Sequence, residues 1–181
     1  MITGTRCRAG LMMAVALMAA PALAGPDLVE FPKDYQTQFI VYNTIERPDR
    51  TPNQIRFMYV NPAAHWAASA SRPAPSGTVL VMEDRAAKLG ADGQPERDAA
   101  GRMVPTDRVL AIAVMEKRTG WGAGYNAERR NGEWEYAGFA PDGTRRTTTE
   151  AQTASCFACH QSRATRDWTF TYVKFLQDSG R

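Results

Sequence analysis

The sequence predicts a mainly β chain of the α+β class: an antiparallel sheet with a few short helices. Three observations predict it. About five runs are rich in β-branched and aromatic residues, which fit a pleated, half-buried surface. Prolines and glycines punctuate the chain between those runs. Few segments read as helix, and each of those is short.

Taken in order, "PDLVEFPKDYQ" predicts one helical turn around Phe31–Tyr35. "TQFIVYNTI" and "QIRFMYV" predict strands, with the proline-containing "ERPDRTPN" as the loop between them. In the second strand Ile55, Phe57 and Tyr59 face one way, and Arg56, Met58 and Val60 the other. "NPAAHWAASA" predicts a short helix, with Asn61 as its cap and Pro62 at its first position. "TVLVME" is a strand, and the polar residues 85–107 read as a long loop in which "RDAAGR" allows one helical turn. "RVLAIAVMEK" and "GEWEYAGF" are strands, the latter with Trp134 and Tyr136 on one face and Glu133 and Glu135 on the other. The tail "DWTFTYVKFL" is aromatic and β-branched and reads as strand-like, with a helix as the alternative for so short a run.

The 181 residues suffice for one domain with a sizeable core. Residues 1–24 read as a signal peptide: Arg6 and Arg8 precede a short apolar run that ends in the A-x-A-like Ala22-Leu23-Ala24. That run is too short to span a membrane comfortably, and Pro21 interrupts it. Residues 25–181 then form the single mature domain, periplasmic by this reading and without a membrane span. Loss of Arg6 and Arg8 leaves 20 basic against 19 acidic residues, a net charge of +1. So balanced a charge excludes an electrostatic nucleic-acid binder. Cleavage also removes Cys7 and leaves only Cys156 and Cys159, too few for a disulfide scaffold.

Both remaining cysteines lie in "CFACH". CxxCH in an exported chain is the pattern of c-type haem attachment: the two thiols add to the porphyrin edge, and His160 follows as the proximal iron ligand. One covalent haem c is the expected cofactor. A redox dithiol and a zinc set completed by the distant His65 are the competing readings. The opposite axial side decides function. His65, Met58, Met82, Met103 and Met115 are the candidate sixth ligands, with packing as the alternative role of each.

The ordered set "FPKDYQTQFIVYNT", "QIRFMYVNPAA", "PSGTVLVME", "AVMEKRTGWGAGY", "GEWEYAGF", "CFACH" and "RDWTFTYV" resembles the cytochrome P-460 and cytochrome c-prime-beta family. The resemblance implies an antiparallel sheet with a few helices, often as a homodimer, and one haem c with an open distal site. It further implies that the protein binds nitric oxide or oxidises a small nitrogen compound such as hydroxylamine, with a partner cytochrome taking the electrons. Hydroxylamine-oxidising members carry a lysine crosslinked to the porphyrin, in a strand that commonly reads V-K-E. Here that strand reads Val81-Met82-Glu83, and a thioether cannot form the amine crosslink. Lys88 and Lys117 do not match the motif. Candidate distal-pocket residues are Phe57, Met82, Glu116 and Thr147, with Phe39 beside Phe57 in an apolar wall. An ion pair with Arg118 or Lys117 is the competing role for Glu116. Arg145, Arg146, Arg163 and Arg166 flank the haem motif and are candidate propionate partners. A non-catalytic electron-transfer or haem-sensing cytochrome with a sixth protein ligand is the second functional reading.

Overall fold

The computed structural model describes residues 24–69 and 74–180, so the expected signal peptide, Ala24 apart, lies outside the described residues. Five strands form one antiparallel meander: β1 (Ile40–Arg47), β2 (Gln54–Val60), β3 (Val79–Ala87), β4 (Pro105–Lys117) and β5 (Trp134–Phe139), each hydrogen-bonded to the next. The short helices are α1 (Tyr35–Gln38), α2 (Pro62–Ala67), α3 (Glu150–Gln161) and α4 (Tyr172–Asp178). Among the described residues no helix is long and apolar enough to cross a membrane.

Alternation along the strands gives the sheet two faces of different chemistry. Met58, Met82 and Ala113 align across β2, β3 and β4, and the next row on that face is Val60, Leu80, Met115 and Tyr136. Helices α3 and α4 close over this face through buried Phe157, Tyr172 and Leu176, which join Trp134 and Tyr136 in one core. Burial of a side chain such as Phe157 contributes about 1.5–3 kcal/mol. The opposite face carries Tyr59, Val81, Val114 and Ala137, covered by Val29, Phe31 and Tyr35 from the N-terminal segment. There the fully buried Glu83 accepts hydrogen bonds from Tyr35 Oη, Gln36 Nε2 (2.6 Å), Tyr59 Oη (3.2 Å) and Arg85 Nε (2.5 Å). Burial and the Glu83 carboxylate push the Tyr59 phenol up to about 12.

Several local expectations are corrected. The tail is helical, not a strand: α4 buries Tyr172, Val173 and Leu176, a helical spacing, against the core. Asn61 is extended and makes no side-chain cap; its amide instead bridges to β3, accepting from the Val79 N–H at 2.9 Å and donating to the Gly77 carbonyl at 3.0 Å. The helical turn before β1 is Tyr35–Gln38, slightly later than expected. Within residues 85–107, β3 runs on to Ala87, and paired bridges Leu89↔Pro95 and Arg97↔Met103 order the rest. "RDAAGR" is a tight turn, not helix, because Asp98 Oδ1 accepts the N–H groups of Ala100 and Arg102 and Gly101 takes a φ of +77°.

Candidate haem site

Helix α3 places the cysteine motif. Its N-terminus is fixed by Gln152, whose side-chain oxygen accepts the backbone N–H groups of Thr148 (2.7 Å) and Thr149 (3.1 Å). Phe157 anchors the helix to the sheet, packing edge-on against Tyr125 and Tyr136 with centroids 4.9 and 4.8 Å away. Asn131 donates to the Phe157 carbonyl and to Tyr136 Oη, both at 3.0 Å. Cys156, Cys159 and His160 stand three and four residues apart, so they share one side of α3.

That side looks into a cavity of about 790 Å³, within the roughly 300–1,000 Å³ of cofactor pockets. Cys156, Cys159 and His160 line it from the helix, and Met58, Met82, Ala113 and Met115 line it from the sheet. Tyr42 and Thr171 contribute at one side, joined to each other at 3.1 Å. Arg47, Arg50 and Arg56 also line it, so an apolar plate bearing carboxylates has both an apolar slot and cationic partners. Arg56 is already held by Asp84 in a two-point ion pair of 2.7 and 2.8 Å. Both thiols are free, and burial pushes the Cys156 thiol up.

His160 is set for ligation. Burial pulls its pKa below the ordinary value, which favours the neutral ring. Its Nδ1 lies 2.6 Å from the Trp168 carbonyl oxygen, which can only accept; Nδ1 therefore carries the proton and Nε2 keeps the lone pair that a metal needs. The carbonyl is aimed by an unusual backbone, with Asp167 and Trp168 both left-handed at φ of 50° and 53°. Two contacts hold that turn. Asp167 receives Lys117 Nζ at 2.8 and 2.9 Å in a nearly buried pair. The Trp168 ring fills the place of a side chain at Gly132, where a Cβ would meet Trp168 Cζ3 at 2.6 Å and where φ is +62°. Gly132→Ala is accordingly expected to lower stability by about 1–3 kcal/mol, read as a fall of several degrees in the thermal midpoint of the holoprotein.

The structure sorts the other expected residues. Met82 lines the cavity. Phe57 does not: it lies on the opposite face, under Arg85 at 5.0 Å, because it is one residue out of phase with Met58. Phe39 packs in that same opposite core. Glu116 is also on the far face, paired with Arg118 at 2.6 Å. Thr147 straps β5 by accepting the Gly138 N–H at 2.8 Å and does not line the cavity. Lys88 pairs with Glu96 on the surface, and Lys117 with Asp167, so neither reaches the slot. His65 is buried against Trp66 and Phe175, away from the cavity, and among the described residues no group of three or more His, Cys, Asp or Glu gathers as a metal set; the zinc reading has no support. Arg145 reaches the carbonyls of Pro26 and Val29, and Arg163 stacks on Phe170 at 4.7 Å, so the cavity's arginines come from β1, β2 and the loop between them. Sequence reasoning missed the Trp168 carbonyl and its Lys117–Asp167 support; "RDW" directly after the motif was the available signal.

Comparison with curated proteins finds no match. The family model for cytochrome P460 matches residues 32–171, a span that holds the whole sheet, the cavity and the cysteine motif, and the chain belongs to the cytochrome P460 family.

Proposed function

We propose that the chain carries its family's haem as a single haem c, tethered by Cys156 and Cys159 with His160 as the proximal ligand, and that the exported protein binds nitric oxide. The carrying observation is the chemistry of the cavity wall. Among the described residues that line it, none is Asp, Glu or Lys, and the wall opposite α3 is Met58, Met82, Ala113 and Met115. Such a wall favours a small neutral ligand and offers no carboxylate to take protons from hydroxylamine. With Met82 in the slot, none of the described lining residues supplies an amine for the crosslink of the oxidising members. When bound, haem supplies an iron centre that takes a diatomic ligand and exchanges one electron. The chain's own groups hold the ring, fix the His160 tautomer and keep the slot apolar. A homodimer, and a partner cytochrome for electron exchange in the periplasm, belong to the same proposal.

The second reading is an electron-transfer protein with a sixth ligand, and one observation favours it: three thioethers, Met58, Met82 and Met115, line the slot. Optical spectra of the purified holoprotein, ferric and ferrous, before and after nitric oxide, decide between them. The expected result is a high-spin ferrous spectrum that changes with nitric oxide. A sharp low-spin spectrum that ignores the gas overturns the binding reading; loss of that spectrum in Met82→Ala then names the thioether. A red-shifted ferrous Soret band of the P-460 type overturns both and restores hydroxylamine oxidation.

A further inference from the structure

Glu135 takes no part in the haem site, yet it is fully buried on β5. Tyr125 donates its hydroxyl to Oε2 at 2.9 Å, while Oε1 has no hydrogen-bond partner. Burial, with the acidic Glu150 and Asp27 nearby, raises its pKa to about 7. Glu150 itself is met by Arg129 at 3.4 Å, and the Arg129 guanidinium lies over the Tyr125 ring. The remaining neighbour is the backbone N–H of Gly25, which interacts with the carboxyl. Ala24 sits against the same loop, its Cβ 3.0 Å from where a Gly124 side chain would begin, and Pro26 is buried. The segment 24–26 is therefore seated at the edge of the sheet beside a buried carboxylate that forms no ion pair among the described residues.

Hydrolysis of the Ala24–Gly25 bond would supply that partner. Water adds across the peptide bond, Ala24 leaves with a carboxylate, and the Gly25 nitrogen becomes an ammonium. We propose that removal of the leader after Ala24 creates an ion pair between the Gly25 α-ammonium and Glu135, which locks the mature N-terminus onto β5. This rests on the reading of residues 1–24 as an export signal. The pair gives a short charged N-terminus a buried role that an uncleaved or differently cleaved chain cannot fill.

The test uses exported holoprotein. Intact-mass and N-terminal peptide mapping are expected to find Gly25 first. Under native conditions an amine-acylating reagent is expected to label Lys33, Lys88 and Lys174 at least tenfold faster than Gly25, and denaturation is expected to erase that difference. Glu135→Gln, and separately a serine inserted between Ala24 and Gly25, are each expected to lower the thermal midpoint by about 5 °C or more. Combined, they should lower it little further, because both break one pair. A first residue other than Gly25 overturns the cleavage reading and the pair together. Gly25 first, with an amine as reactive as the lysines or with additive losses in the two variants, overturns the pair alone.

Discussion

Replacing both Cys156 and Cys159 with alanine is expected to abolish covalently held haem in the purified protein. The test is acid extraction: haem stays with the wild-type polypeptide and leaves the double variant entirely. The two sulfurs stand on the cavity side of α3, one half-buried and one exposed, where both would meet the edge of a porphyrin held in the slot. Each single variant should retain one thioether, seen as a shifted reduced pyridine haemochrome band. Stability should fall in step with haem loss. An apolar cavity of about 790 Å³ without its plate forfeits dispersion contacts along the whole Met58–Met82–Met115 wall. Haem that remains bound to the double variant after extraction would remove the cysteines from their assigned role. In His160→Ala the tether should survive while the axial field changes, so the two kinds of variant separate attachment from ligation.

The site was legible in the sequence where its chemistry is local in the chain. CxxCH is contiguous, so its three side chains could be named before any fold was known. Met82 was found through the resemblance, because it stands where the family's strand commonly reads V-K-E. Side-chain direction was harder. Alternation along β2 correctly put Phe57 and Met58 on opposite faces, but nothing in one strand says which face meets α3. That depends on which covering elements pack where, and Phe57 turned out to share its face with Glu83 and the N-terminal segment. The distal role of Glu116 failed for the same reason, and its competing pairing with Arg118 is the one found. The tail shows the limit of propensity: "TFTYVKFL" has strand composition, but all five strands were already accounted for and its apolar residues fit a helical stripe against Phe157 and Trp134. The Trp168 carbonyl was invisible because a backbone group has no sequence letter, and its aim depends on two left-handed residues that are neither Gly nor Asn.

The Lys117–Asp167 pair carries the second large expectation. The lysine and aspartate side chains are only 15% and 5% exposed, and the pair clamps the turn that offers its carbonyl to His160. Lys117→Met removes the cation and leaves the carboxylate buried. The expected loss is about 3–5 kcal/mol, a fall of roughly 10 °C in the thermal midpoint for a chain of this length. Burial already raises the Asp167 pKa above the ordinary 3.8 while Lys117 opposes the rise, so removing the lysine raises it further. A carboxyl raised in the folded state stabilises fully below its unfolded value and loses that contribution as pH rises through the folded one. The variant should therefore be closest to wild type near pH 4, diverge as pH rises through its folded value, and level off above it. Adding Asp167→Asn should recover part of the loss at neutral pH, since a neutral amide replaces the stranded charge. The haem midpoint potential provides the readout that a purely structural pair would not move. If the pair positions the Trp168 carbonyl, and with it the proton on Nδ1, the potential of the Lys117→Met holoprotein shifts even at temperatures where it is fully folded. An unchanged potential in a folded, destabilised variant would confine the pair to stability and leave the His160 tautomer to the backbone turn alone.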